Sequence, residues 1–149
     1  MKEKVTFAPL YSDHRSGTNG RLSYRESFDP TDMANITAAI NNPEFTCNHA
    51  FIATWVNVAD FVISNYAKQL KNTFQLVIAS DGNVTYGLAY YYRTDSAGWA
   101  ISGWSDRVCD KIHTFPIPTN FELSATRHQV NRRVFLLTED RCTDRYREF

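Results

Sequence analysis

The sequence lacks the features of several broad classes of protein. No apolar run of about 18 residues occurs, which excludes a membrane-spanning helix within this chain. Lysine plus arginine equals aspartate plus glutamate at 16 each, so the basic excess that is typical of nucleic-acid-binding proteins is absent. The first residues, Met1 to Val5, do not lead into the apolar stretch of a secretory signal, and we expect any such signal upstream.

Complete catalytic and metal-binding motifs are also missing. The nearest approach to the nucleophile elbow of a serine hydrolase is Gly103-Trp-Ser-Asp-Arg107, which lacks the second glycine. Asp13, Asp29 and Asp32 do not have the ordered spacing of a calcium loop, and a turn and a helix cap explain them better. The sequence therefore predicts no enzymatic activity, no cofactor and no metal site.

Aromatic residues are abundant. They make up 14% of the chain, within 43% hydrophobic and 21% charged residues, which is the composition of a folded protein. Aromatic side chains favour strands over helices, and 149 residues fit one hydrophobic core. We therefore predict a single, mainly β domain with one short helix (α+β), built as an antiparallel sheet or a sandwich-like module.

One segment has a convincing helical pattern. Asp29 can cap the helix and Pro30 suits its first position. Met33, Ile36 and Ile40 follow at spacings of three and four, so that one stripe can face a core. The pattern predicts a helix near Asp29 to Ile40.

The first half of the chain also contains strand patterns. Residues 4–11 predict a strand with Pro9 at an edge or a bulge, since proline cannot donate to a sheet ladder. A turn-rich segment separates them from residues 21–26, and together the two suggest a hairpin. Residues 50–58 are apolar on both faces, which predicts a central strand.

The strongest local signal is a second hairpin. Residues 73–80 and 83–90 flank Asp81-Gly82, a dipeptide that supplies the positive φ values of a two-residue type I′ turn. Weaker patterns predict short strands at residues 99–104 and 133–138. The strand pattern further predicts four buried side chains, namely Trp55, Phe74, Leu76 and Ile78.

Cysteines and glycosylation sequons bear on the compartment. Cys47, Cys109 and Cys142 are an odd number, so one disulfide leaves one thiol and three pairings are open. We prefer Cys47 with Cys109, because Cys142 lies near the end of the chain and can pair within a following domain. Asn35-Ile-Thr37 and Asn83-Val-Thr85 are acceptor sequons, which favour an extracellular address and two glycosylation sites.

A group of aromatic residues in the second half of the chain is a candidate binding surface. Such rings can form a platform for a sugar or for a partner protein. Alternatively, alternate rings fill the core and the others cover a face of the sheet. The group consists of Tyr90, Tyr91, Tyr92, Trp99 and Trp104.

Several stretches resemble one known family. Phe51-Ile-Ala-Thr-Trp-Val-Asn-Val58 and Asn72-Thr-Phe-Gln-Leu-Val-Ile-Ala-Ser-Asp-Gly82 are similar to the signature of nidogen-like (NIDO) domains. Ala8-Pro-Leu-Tyr-Ser-Asp13 and Gly20-Arg-Leu-Ser-Tyr-Arg-Glu26 resemble the segments that precede this signature. The resemblance implies a NIDO-like domain over residues 1–140 without the family's first strands, followed by a tail or linker over residues 141–149.

The resemblance carries an expectation about function. It implies an extracellular adhesion or matrix-assembly module, secreted or part of the ectodomain of a membrane protein, that recognises matrix or cell-surface proteins. The alternative is a carbohydrate-binding module that binds glycans through exposed aromatic rings, and a small hydrolase is a weaker third reading. The first expectation involves no catalysis and no nucleic acid, and it allows membrane contact only through other domains.

Overall fold

A computed structural model describes residues 6–11, 14–15, 20–60, 70–95, 100–106, 111–120 and 131–137. These residues form nine strands and one helix, α1 (Pro30–Ile40). The strands are β1 (Thr6–Tyr11), β2 (His14–Arg15), β3 (Arg21–Ser27), β4 (His49–Asp60), β5 (Asn72–Ser80), β6 (Thr85–Thr94), β7 (Ile101–Asp106), β8 (Lys111–Phe115) and β9 (Asn131–Leu136). The prediction of a mainly antiparallel β module with one short helix is confirmed.

The strands form two antiparallel sheets. The larger, six-stranded sheet has the order β2-β4-β5-β6-β9, and β3 also pairs with β4. Since β5 occupies one side of β4, strands β2 and β3 share the other side, with β3 along residues 50–56 and β2 along residues 59–60. The register of β4 shifts between Trp55 and Val58, where Asn57 has a φ of 52°. The smaller sheet has the order β1-β7-β8.

Helix α1 begins and ends as its sequence predicts. Asp29 accepts hydrogen bonds from the backbone N–H of Thr31 at 2.9 Å and of Asp32 at 3.1 Å, which satisfies two free donors of the first turn. The helix ends at Asn41, whose left-handed φ of 54° lets its N–H donate to the carbonyl of Thr37.

The apolar stripe of α1 covers one face of the six-stranded sheet. The stripe packs on alternate residues of β4, β5, β6 and β9, as expected when one face of a strand meets a helix. Phe45, just after the helix, meets Tyr86 edge-on at 4.9 Å between ring centroids. The buried members of this core are Met33, Ile36, Ala39, Ile40, Phe45, Cys47, Ala50, Ile52, Val77, Ala79, Tyr86, Leu88 and Val134.

The three-stranded sheet covers part of the opposite face. A second core there contains Leu10, Val58, Phe74, Ala89, Tyr91 and Ile117. The ring of Phe7 lies 5.6 Å from that of Phe135, and it approaches Gly87 so closely that an added Cβ would meet Phe7 Cε2 at 3.1 Å. Because β1 packs against β5 and β6, the covered part is the β5-β6-β9 half of the large sheet.

The predicted first hairpin is wrong. Strand β1 pairs with β7, and β3 pairs with β4, so residues 4–11 and 21–26 lie in different sheets. Pro9 does lie in an edge strand, and the register of β1 shifts between Ala8 and Tyr11, as the missing N–H of proline requires.

The second hairpin is confirmed, but its predicted turn is wrong. Ser80 pairs with Thr85, so residues 81–84 form the loop instead of a two-residue turn. Only Gly82 of this loop has a positive φ, at 101°, whereas a type I′ turn requires two. The cause is the side chain of Asp81, which accepts from the N–H of Asn83 at 2.8 Å and of Val84 at 2.7 Å.

Two of the predicted strands are present with shifted bounds. The strands predicted at residues 99–104 and 133–138 lie at Ile101–Asp106 and Asn131–Leu136, and Trp99 falls outside the described residues. Within that part of the chain, no helix is long and apolar enough to cross a membrane.

Candidate functional site

The half of the large sheet that the small sheet leaves open carries a row of apolar side chains. In antiparallel pairing, directly opposite residues lie on the same face. Phe51, for example, pairs with Ile78 and Glu26, and its face is the one turned away from α1. We call this surface the aromatic face, and it consists of Leu22, Tyr24, Phe28, His49, Phe51, Trp55, Leu76 and Ile78.

The aromatic face is open to solvent. Tyr24 is 73% exposed, Phe28 68% and Leu22 53%, although all three are large apolar side chains. Trp55, Leu76 and Ile78 are partly exposed, so the prediction that they are buried is wrong, and only Phe74 of that set lies in the core. The reason is that the small sheet covers β5 only in part, so that Leu76 and Ile78 on β5 and Trp55 on β4 lie at its border.

The rings of this face rest on the body of the domain. Phe28 stacks on His49 at 4.9 Å, and Tyr24 contacts Phe51 at 6.0 Å between centroids. Trp55 stacks on the buried Phe74 at 4.8 Å with an interplanar angle of 13°. Because most of these side chains stand on paired strands and each of them touches a neighbouring ring, a partner would not have to order them first.

Few charges lie on the aromatic face. Arg25 stands on the other side of β3, where its guanidinium donates to Asp32 at 2.6 Å. This bond, together with one from the Ser27 hydroxyl, lowers the pKa of the Asp32 carboxyl. Glu26 is the charged residue of β3 that shares the face of Tyr24. The Nε2 atom of His49 is buried and has no hydrogen-bond partner among the described residues, so this imidazole serves as a flat support for Phe28.

The aromatic group predicted from the sequence does not form one surface. Tyr91 is only 1% exposed and Trp104 8%, so assigning these two rings to a binding platform is wrong. Tyr91 points to the small sheet, and Trp104 lies on β7, the central strand of that sheet. Tyr92 is exposed and Tyr90 partly buried. The alternative reading, in which alternate rings fill the core, describes Tyr90 to Tyr92 better.

The sequence reasoning missed the residues that are most exposed on the aromatic face. The sequence predicts residues 21–26 only as one arm of a hairpin, and it assigns no role to Phe28. The available signal was the alternation of Leu22 and Tyr24 in a predicted strand for which the sequence indicates no second neighbouring strand. That signal does not tell which face of the strand meets solvent.

The candidate modification sites occupy different environments. Asn35 on α1 and Asn83 in the loop after β5 are both exposed, as a glycan acceptor requires. Cys47 is a buried free thiol 3.4 Å from the sulfur of Met33, and its burial raises its pKa. The structure therefore does not support the preferred Cys47–Cys109 bridge, and Cys109 and Cys142 lie outside the described residues.

The described residues contain no group of three or more histidine, cysteine, aspartate or glutamate side chains that could hold a metal ion. What they do offer is an apolar surface of fixed shape, which suits recognition.

Comparison with known proteins places the chain in a family. The family model described as the nidogen-like domain matches residues 2–111. The chain belongs to the nidogen-like domain family. It is 33% identical to mouse alpha-tectorin over 105 residues and 36% identical to mouse nidogen-2 over 97 residues, which cover 67% and 56% of the chain. It spans 5% and 7% of the length of these relatives. No solved structure matches the chain.

The residues that carry the family resemblance have structural positions in this nidogen-like domain. Asn72 is 0% exposed, and Trp55 and Phe74 stack where β4 pairs with β5. Thr54 accepts a hydrogen bond from the side chain of Gln75 at 2.8 Å across the same pair of strands. The motif therefore fixes β4 against β5 and so holds the strands that present the aromatic face.

Proposed function

We propose that this nidogen-like domain is a non-catalytic extracellular module for adhesion or matrix assembly, and that it binds matrix or cell-surface proteins through the aromatic face. The family and its nidogen and tectorin members support the extracellular matrix setting.

The exposed aromatic face carries the proposal. Monomeric proteins rarely leave contiguous apolar surface of more than a few hundred Å² open to water, and such patches mark interaction sites. Three residues of this face are each more than half exposed, namely Leu22, Tyr24 and Phe28. Tyrosine and other aromatic residues are also enriched among the residues that dominate binding energy at protein interfaces.

The chemistry of the face favours a protein partner over a glycan. A sugar site combines an aromatic ring with several hydrogen-bonding groups around it. Leu22, Leu76 and Ile78 are aliphatic, and the imidazole of His49 is covered by Phe28. A partner that also presents apolar side chains matches this surface better than a polyhydroxylated ligand does.

The proposed domain extends beyond the matched residues. Strand β9 pairs with β6 throughout its length, so the six-stranded sheet needs residues 131–136. We place the end of the domain near residue 140 and assign residues 141–149 to a tail or a linker. Glycans on Asn35 and Asn83 would suit the proposed extracellular location.

Binding to a reconstituted extracellular matrix gel tests the proposal. The 149-residue chain should be retained by the gel, and Tyr24→Lys should reduce retention at least about 10-fold, as expected for a central aromatic anchor. The matched control is Tyr92→Lys, because Tyr92 is 50% exposed and lies on a different strand. This control should be retained like the wild type.

Two results would contradict the proposed function. One is a wild-type chain that is retained neither by the gel nor by a column that carries immobilised cell-surface proteins. The other is equal loss of retention in both variants, which would assign binding to a general property of the surface. Circular dichroism of each variant shows that its fold is intact before retention is compared.

A further inference from the structure

We propose that the partner of the aromatic face is a second copy of this chain, packed face to face about a two-fold axis. This inference rests on the proposed function of the face as a protein docking surface, and it names the occupant.

The area of the face fits a stable dimer. A large aromatic side chain contributes roughly 150–250 Å², so at 73% and 68% exposure Tyr24 and Phe28 offer about 210–350 Å² together. Leu22 at 53% and the partly exposed remainder raise the apolar total to roughly 500 Å². A standard interface buries about 800 Å² per partner, of which about 65% is apolar in homodimers. The expected apolar share, about 520 Å², agrees with the area that the face provides.

The layered shape of the domain is self-complementary. The small sheet covers the β5-β6-β9 half of the large sheet, and the β3-β4 half beside it stays one layer lower. A two-fold axis that is parallel to the strands and lies above the aromatic face, over the gap between β3 and β4, lays the open half of one copy on the open half of the other. The large sheet of each copy then lies in the same layer as the small sheet of its partner and beside it. The two large sheets are about 10 Å apart, which is the spacing of sheets packed face to face.

This arrangement also covers the edge of β3. Within the described residues β3 pairs only with β4, so its outer side carries the unpaired backbone groups of an edge strand. In the dimer, the small sheet of the partner lies alongside this edge. A second copy therefore covers both the apolar face and the strand edge.

Long-range charge repulsion does not oppose the association. The formal net charge of the chain is zero, so two copies do not repel each other at long range near neutral pH. Arg25 is engaged by Asp32 on the far side of β3, so Glu26 is the charged residue of β3 that has to leave water in the dimer. Asn35 lies on α1, behind the sheet, so a glycan at that position leaves the face accessible.

Sedimentation equilibrium of the 149-residue chain between about 1 and 100 µM tests the proposal. A Kd in or below this range is the usual consequence of an interface of standard size. We expect the wild type to reach twice the monomer mass of 17.1 kDa. Tyr24→Lys should raise the dimer Kd at least about 100-fold, because a symmetric interface contains each substitution twice. Tyr92→Lys should leave the Kd unchanged, and 1 M salt should not dissociate the dimer, since the contact is apolar.

Three results would overturn the second-copy proposal, namely a wild type that stays monomeric at 100 µM, a dimer that Tyr24→Lys leaves intact, or a dimer that Tyr92→Lys weakens equally. The outcome separates this proposal from the proposed function. A monomeric wild type that still binds the matrix gel through Tyr24 refutes only the second copy, because the face then binds a different protein. A monomer that also fails on the gel refutes both, and a dimer that passes through the gel supports the second copy and contradicts only the binding of other proteins through this face.

Discussion

A buried hydroxyl pair that joins the two sheets allows a sharp test of the packing. Tyr91 of β6 donates to the carbonyl of Pro9 at 2.6 Å, and Ser102 of β7 donates to the same carbonyl at 2.6 Å. The two hydroxyls lie 2.6 Å apart, and both residues are at most 1% exposed. Pro9 stands where the β1 ladder shifts register, so its carbonyl depends on these side chains.

The cost of removing each hydroxyl follows from this geometry. Tyr91→Phe leaves Ser102 to donate to Pro9, and Ser102→Ala leaves Tyr91 to donate. Each single variant should therefore lose about 1 kcal/mol of unfolding free energy, the net value of one hydrogen bond. The double variant leaves a buried carbonyl without a side-chain donor, which adds about 1–3 kcal/mol to the sum of the single losses.

Urea denaturation of the wild type, the two single variants and the double variant measures this coupling. We expect the double variant to lose about 3–5 kcal/mol in total, with a coupling of at least about 1 kcal/mol. If the losses add to within about 0.5 kcal/mol, the two hydroxyls do not share an acceptor and the inferred contact between the sheets is incorrect.

Three further predictions concern the core, pH and glycosylation. Phe74→Ala should cost about 3–5 kcal/mol in urea denaturation, because the ring is 1% exposed, whereas Tyr92→Ala should cost below about 1 kcal/mol. Burial raises the pKa of Tyr91 to about 12. The stability that the protonated hydroxyl contributes is therefore complete below the unfolded pKa near 10 and is lost as the pH rises through about 12. Tyr91→Phe should flatten this loss of stability in alkaline denaturation curves, and a variant whose stability falls in parallel with that of the wild type would contradict the prediction. After secretion from eukaryotic cells, glycosidase should reduce the apparent mass, and Asn35→Gln and Asn83→Gln should each remove part of that shift; a mass that glycosidase leaves unchanged would refute the sequon prediction.

The elements that the sequence predicted well depend on neighbouring residues. The helix follows from its cap at Asp29 and from the spacing of its apolar stripe, both of which act within a few residues. The second hairpin follows from two apolar strands and a glycine between them. Its exact turn did not follow, because the Asp81 side chain captures two N–H groups and so competes with the two-residue turn.

The features that the sequence did not reveal depend on distant parts of the chain. The pairing of β1 with β7 joins Phe7 to Trp104, and no local pattern in either strand selects that partner. Which of Tyr91 and Tyr92 is buried depends on where the small sheet packs, since alternation fixes only that they differ. The aromatic face was not predicted for the same reason. Tyr24 is exposed because the small sheet does not extend over β3, and nothing in the sequence of β3 shows where the small sheet ends.

The central claim is that the open half of the large sheet is a protein docking surface, and photo-crosslinking from Tyr24 tests it most directly. A benzophenone amino acid replaces Tyr24 in one sample and Tyr92 in the control, and each chain is irradiated on the extracellular matrix gel at high concentration. The account predicts a crosslinked protein product, either a doubled chain or a matrix protein, from position 24 and not from position 92. Absence of a product at position 24, or equal products at both positions, would contradict it.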